Sequence, residues 1–152
     1  MDIQKLKTLR KKTGVSLSLC KKALEETNND LEKAEKLLQN WGAEVLAKKA
    51  GDHAAEGAIF SYIHHNKKIA SLVEIVCQTD FVAKNEQFQQ LGQEIAMQIA
   101  STPAETIDQL LNQEYIRDPA KKVIDLLNEA ALKFGENLKI VRFLRWQLGT
   151  NL

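Results

Sequence analysis

Glycine, cysteine and long apolar runs are all scarce in this chain, and each scarcity closes off a class of function. Seven glycines are spread over 152 residues without clustering, and neither GxxxxGK[ST] nor GxGxxG occurs. The chain therefore has no phosphate cradle of backbone amides, and the common nucleotide-binding enzymes are excluded. The only cysteines, Cys20 and Cys77, lie in separate segments with no CxxC. That excludes a disulfide scaffold and a cysteine-rich zinc module. No apolar run approaches the roughly 20 residues that a membrane-spanning helix requires. The start Met1-Asp2-Ile3-Gln4-Lys5 enters a helical pattern with no apolar leader behind a basic stretch. A reducing cytoplasm is the expected location.

What remains is ordinary for a folded protein, with 44% hydrophobic and 27% charged residues. There is room for one medium domain or two small ones. Net charge is only +1, so the chain as a whole is no magnet for nucleic acid, and no direct nucleic-acid partner is expected. The charge is uneven, however. Residues 1–22 hold Lys5, Lys7, Arg10, Lys11, Lys12, Lys21 and Lys22 against Asp2 alone. Such a segment reads as a solvated helix face, or as a surface for an acidic partner or for RNA phosphates.

Residues 1–41 read as three short helices. Ile3, Leu6 and Leu9 recur at helical spacing, and Thr13-Gly14 stops the first helix. Ser16 caps the second, which carries Leu17, Cys20 and Leu24. Asn28-Asn29-Asp30 breaks the chain and caps the third, with its stripe Leu31, Ala34, Leu37, Leu38 and Trp41. The pattern resembles a ubiquitin-associated-type bundle. Residues 42–57 read as an Ala- and Lys-rich linker whose middle has helical character. Residues 58–152 then form an α+β core domain. Residues 58–64 and 69–79 pair as an antiparallel hairpin across His65-Asn66-Lys67-Lys68. A helix carries Phe88, Leu91, Ile95 and Ile99 and ends at Pro103. A short helix holds Ile107, Leu110 and Leu111. Asp118-Pro119 opens another, with Pro119 in its first turn and Val123, Leu126, Leu127, Ala130 and Phe134 as its stripe. Residues 138–148 form the third strand. Strict alternation puts Leu138, Ile140, Leu144, Trp146 and Leu148 on one face and Val141 and Phe143 on the other. Both faces are partly apolar, so both need cover, and a homodimer partner supplies the second layer most economically.

The candidates for chemistry are few. Cys77 lacks a catalytic-cysteine signature and reads as a buried thiol, as does Cys20. Neighbouring strand residues point to opposite faces, so His64 and His65, with His53 upstream, do not suggest a shared metal. No metal, cofactor or catalytic set is expected. The chain reads as a protein that works by binding and not as an enzyme. The most informative run is Cys77-Gln78-Thr79-Asp80-Phe81-Val82-Ala83-Lys84-Asn85-Glu86, at a strand-to-helix junction. By residue type alone, Asp80 caps the next helix and Phe81 enters the core. Alternatively, Phe81 protrudes as a wedge into another molecule.

That run resembles the signature of the elongation factor Ts family. Residues 5–10, Thr13-Gly14, Cys20-Lys21-Lys22-Ala23-Leu24 and Asp30-Leu31-Glu32-Lys33-Ala34 are similar to the family's N-terminal domain. Lys48-Lys49-Ala50-Gly51 and Ala54-Ala55-Glu56-Gly57 resemble its linker. Gly135-Glu136-Asn137-Leu138, Arg142-Phe143 and Leu148-Gly149 resemble its last strand. The resemblance implies a guanine nucleotide exchange factor that binds the GDP form of elongation factor Tu. It implies that Thr79, Asp80, Phe81 and Val82 enter the partner's G domain and dislodge its magnesium, while Arg10, Leu17 and Ser18 dock the N-terminal domain. Two features depart from the family. Leu17-Ser18-Leu19 replaces the usual Met-Met-Asp, and Ser18 offers less apolar area. The core has room for one subdomain and is shortened between Pro103 and Asp118, as in short members that pair. Competing readings are a ubiquitin-associated-type adaptor without exchange activity, an RNA-binding protein using the basic face, and a cysteine enzyme at Cys77.

Overall fold

A computed structural model describes residues 2–48 and 56–150. Among the described residues, seven helices and five strands follow in the order α1 (Ile3–Thr13), α2 (Leu17–Glu26), α3 (Leu31–Ala47), β1 (Glu56–Ile63), β2 (Ile69–Cys77), α4 (Asp80–Ala83), α5 (Glu86–Ser101), α6 (Ile107–Asn112), β3 (Glu114–Tyr115), β4 (Asp118–Lys122), α7 (Val123–Phe134) and β5 (Lys139–Gln147). The class is α+β: three N-terminal helices, then a three-stranded antiparallel sheet with helices. Two compact units result, one of Met1–Lys49 with Leu127–Asn137, the other of Ala50–Leu126 with Leu138–Leu152.

Local chemistry sets the helices of the first unit. Asp2, Ser16 and Asp30 each accept a backbone N–H of the first turn that no helical carbonyl could reach. Gly14, at φ +70°, ends α1 in the left-handed conformation, and its N–H closes onto the Arg10 carbonyl. The helices bury Leu6, Leu9, Val15, Leu24, Ala34 and Leu38, with Trp41 and Leu132 packed against them. Two boundaries differ from the sequence reading. Helix α3 continues through Gly42 to Ala47, so residues 42–47 are helix, while residues 49–55 of the expected linker lie outside the described residues. The C-terminal half of α7 also belongs to this unit. Gly42 lets α3 approach the Asn128 backbone so closely that a Cβ would overlap it. Asn137 Nδ2 donates to the Leu46 carbonyl at 2.7 Å. Apolar pattern alone carries no record of so distant a partner.

In the second unit the sheet has the order β1-β2-β5, antiparallel throughout. Phe60 pairs with Val73, and Val73 with Phe143. One face of this row rests on α5, where Phe88, Ile95 and Ile99 are buried. The Phe60 ring meets Phe88 edge-on at 5.7 Å and lies against Gly92. Ser71 Oγ donates to the Ala96 carbonyl at 2.6 Å, tying sheet to helix.

Strict alternation fails in β5. Glu74 pairs with Arg142 and Ile75 with Ile140, so Val141 is an extra residue in a β-bulge. Leu138 and Ile140 are buried, whereas Leu144 and Trp146 are 37% and 71% exposed. The bulge inverts the parity, so the expected common face of Leu138, Ile140, Leu144, Trp146 and Leu148 is divided. Phe143 and Arg145 take over the helix side, where Arg145 Nε donates to the Ala100 carbonyl at 3.0 Å.

The expected helix start at Asp118-Pro119 is also corrected. Asp118–Lys122 is a strand, paired with Glu114–Tyr115. Helix α5 imposes this hairpin. Buried Gln98 accepts from the Ile116 N–H and donates to the Glu114 carbonyl, both at 3.0 Å. Glu94 accepts from the Tyr115 hydroxyl at 2.6 Å and pairs with Arg117 at 2.5 Å. Helix α7 begins five residues later, where the Asp125 carboxylate reaches back to the Lys122 N–H at 2.9 Å.

Candidate protein-docking site

The strand β2 delivers the Cys77–Glu86 run to a four-residue helix. Thr79 leaves the strand in extended geometry, and its Oγ1 accepts from the Val82 N–H at 3.3 Å. The cap is therefore Thr79, where residue type pointed to Asp80. Asp80 lies in the first turn, and its carboxylate faces Lys84 at 3.9 Å. The Asn85 N–H closes onto the Val82 carbonyl, and Gln89 Nε2 donates to the Ala83 carbonyl at 2.8 Å. Asn85 then caps α5. Both ends of α4 are thus hydrogen-bonded to their neighbours, and its inner side is anchored by Val82 and Ala83, each 8% exposed.

That anchoring decides the fate of Phe81. With Val82 and Ala83 turned inward, Phe81 stands 83% exposed, the highest value among the exposed large hydrophobic residues. A ring held out of water by a partner gains roughly 1.5–3 kcal/mol. The rigid turn means little of that gain is lost to ordering the segment on binding. The expectation that Phe81 enters the core by residue type does not hold: the ring protrudes from the turn. Thr79, Asp80, Phe81 and Val82 thus form one turn with divided labour: cap, charge, projecting ring and anchor.

Arg10, Leu17 and Ser18 belong to the other unit. Arg10 is exposed near the end of α1, and Leu17, at the first turn of α2, is 48% exposed. The Ser18 hydroxyl lies 3.3 Å from that of Ser16. Ile3, which the sequence pattern groups with buried Leu6 and Leu9, is exposed. Its apolar residue type at a helix start gave no signal of exposure.

A second surface is the sheet face away from α5. Strand register arranges it in rows: Ile59, Glu74 and Arg142; Ser61, Leu72 and Leu144; Ile63, Ala70 and Trp146. Ile59, Ile63 and Trp146 are each more than 60% exposed. The only charges in these rows neutralise each other, with Arg142 Nε 2.8 Å from Glu74. Ile59 and Ile63 were missed as members of this face, although their spacing of four along a strand places them on one side.

The histidines and cysteines lie elsewhere. His64 follows the last residue of β1, so strand alternation does not govern the pair, and the His64 and His65 rings approach to 4.1 Å. Their expected divergence is therefore incorrect. His64 Nδ1 is 3.0 Å from the Tyr62 hydroxyl. His53 lies outside the described residues. Cys20 is buried, and desolvation pushes its thiol pKa up, opposite to what a nucleophile needs. Buried Cys77 donates to the Thr79 carbonyl at 3.3 Å.

Comparison with known proteins gives a consistent picture. A family model described as Elongation factor TS matches residues 78–151. A second, described as Elongation factor Ts, mitochondrial, N-terminal, matches residues 1–51. Elongation factor Ts of Caldanaerobacter subterraneus subsp. tengcongensis is 39% identical over 197 aligned positions, covering 100% of this chain and 98% of the relative. That alignment is longer than the chain, so the relative carries residues that face gaps here. Elongation factor Ts of Nitratidesulfovibrio vulgaris is 40% identical, with 96% of each protein covered. That of Thermosipho melanesiensis is 37% identical, covering 95% of this chain and 96% of the relative.

Proposed function

The chain belongs to the elongation factor Ts family, and from that premise we propose that it is a guanine nucleotide exchange factor for elongation factor Tu. The observation that carries this reading is Phe81, 83% exposed on a capped and anchored turn. In the proposed mechanism the protein binds the GDP complex of its partner. Asp80 and Phe81 enter the G domain, magnesium is displaced, and the phosphate loop loosens its hold on GDP. Arg10, Leu17 and Ser18 dock the N-terminal unit on the same partner. No covalent bond is made or broken. The protein lowers GDP affinity by binding the partner's distorted state better than its relaxed one. Linkage then requires GDP to weaken the binding of this protein by the same factor, so that incoming GTP can release it. The cytoplasm, where translation runs, is the proposed location.

We also propose a homodimer through the outer sheet face. Exposed Ile59, Ile63, Leu72, Leu144 and Trp146 make a face that another sheet could cover at about 10 Å. Beside these apolar residues, Arg142 and Glu74 pair with each other, which leaves the centre of the face without an uncompensated charge for an acidic or basic partner to match. A second copy of the same face fits it best.

The testing experiment is release of a fluorescent GDP analogue from elongation factor Tu, with and without this protein. Acceleration by the intact chain and its loss in Phe81→Ala support the reading. No acceleration with the partner of the same species would defeat it and favour an adaptor that binds without exchanging.

A further inference from the structure

We propose that the exposed face of α1, continued by Lys133 of α7, binds the phosphate backbone of folded RNA. The inference goes beyond the exchange reading and departs from the expectation drawn from net charge. Helix α1 contains five basic residues and no acid, and the neighbouring Asp2 carboxylate is used on the Gln4 and Lys5 backbone N–H groups. The structure sorts the basic residues of this segment. Lys5 Nζ donates to the Asn29 carbonyl, and Lys12 pairs with Glu35, each at 2.7 Å. Lys21 and Lys22 face Glu25 and Glu26 on their own helix. Lys7, Arg10 and Lys11 remain, all exposed, with no ion pair among the described residues.

These three lie at i, i+3 and i+4, so they share one side of the helix with neighbours roughly 5–6 Å apart. The next position on that side is Gly14, which has no side chain. Lys133 fills the gap from α7, its Nζ 3.1 Å from where a Cβ on Gly14 would sit. Lys133 likewise has no ion pair among the described residues. Its surroundings already hold its pKa below the usual lysine value through desolvation. A half-buried ammonium without a counter-charge gains from an incoming anion. The result is a row of four uncompensated cations assembled from two distant parts of the sequence.

Arg10 is shared with the proposed docking on elongation factor Tu, so RNA and that partner compete for this face, but the lysines around it fit phosphates better than a protein. Protein interfaces are depleted in lysine at their centres and enriched in aromatic residues. Here three of the four residues are lysine, and α1 has no aromatic residue. Single strands are usually gripped by stacking on aromatic rings, which this face cannot offer. A cationic patch on one side of a helix instead meets the backbone of a duplex, through contacts that position without reading sequence.

The test is fluorescence anisotropy with a labelled RNA hairpin, over roughly 50 to 200 mM salt. Four neutralised phosphates give a log–log slope of roughly −3 to −4, close to a hundredfold loss of affinity across that range. Lys7→Gln with Lys11→Gln should reduce the slope by about 2. Both side chains are exposed, so this variant keeps its fold, which circular dichroism checks. No binding at low salt, an unchanged slope in the variant, or displacement by polyglutamate as effective as by unlabelled RNA would overturn the proposal. The last result would identify the row as a site for an acidic protein. GDP release is measured separately. Its absence would sink the exchange reading while leaving the RNA reading to its own binding curve.

Discussion

The Phe60 ring and the Gly92 backbone share a space with no room for a methyl group: a Cβ on Gly92 would lie 2.2 Å from the nearest ring carbon. Phe60 is 2% exposed and packs edge-on against Phe88, one turn before Gly92 on the same helix, so the ring has little room to yield. Gly92→Ala should therefore destabilise by about 1–3 kcal/mol through overpacking, although alanine is the better helix former. Urea denaturation measures the change. A stability equal to that of the native chain would show that the ring can move aside.

Phe81 and Val82 are adjacent but face opposite demands. Phe81→Ala should abolish most acceleration of GDP release while leaving stability within about 0.5 kcal/mol. Val82→Ala should cost stability through a cavity beside the sheet, because its side chain anchors the turn. Thr79→Ala should cost about 1 kcal/mol through loss of the cap, with partial loss of exchange as the turn loosens. GDP release and urea midpoints on the three variants separate these effects. A Phe81→Ala protein that exchanges normally would eliminate the wedge.

The outer sheet face makes a distinct prediction. Leu144→Asp places an unpaired carboxylate among Leu72 and Trp146 on a face that a second copy would bury. Sedimentation at micromolar concentration should give the mass of a dimer for the native chain and of a monomer for the variant. A native monomer would exclude the sheet-to-sheet pairing.

Two groups should bend the alkaline stability profile in opposite directions. Burial first, and then its hydrogen bond to Glu94, raise the Tyr115 pKa above its ordinary value of 10.0. The folded state thus holds this proton more tightly than the unfolded one. Its contribution is fully present below pH 10 and is lost as pH climbs towards the raised value. Lys133 has the opposite sign. Desolvation lowers its pKa from 10.5, so stability is gained as pH rises through the lowered value. Tyr115→Phe should flatten the loss above pH 10, and Lys133→Met the gain below pH 10.5. Thermal melts from pH 8 to 11, with RNA absent, compare the slopes (Cys20, also raised by burial, adds a loss above pH 9.0 common to both variants).

Sequence legibility followed the range of the interactions. Gly14, Ser16 and Asp30 act within one turn, so the first three helices could be placed from their caps. Residues 58–64 and 69–79 showed their alternation because both strands run without interruption. The Asp118-Pro119 segment misled because proline suits a helical first turn, while the groups that hold it as a strand, Glu94 and Gln98, are about twenty residues away. The bulge at Val141 was invisible because strict alternation assumes that no residue is extra. Residue type alone sent Phe81 to the core. Its direction depends on which of its neighbours finds the core, and that is a tertiary matter.

The membership of Leu127–Asn137 in the first unit has a consequence for the order of synthesis. The three N-terminal helices leave the ribosome before β1, but the segment that packs on Gly42 and supplies Leu132 follows β4. For most of translation the nascent bundle stands incomplete, with the flank of α3 uncovered. The bundle is therefore begun before the sheet and completed only after β1 to β4 have been made.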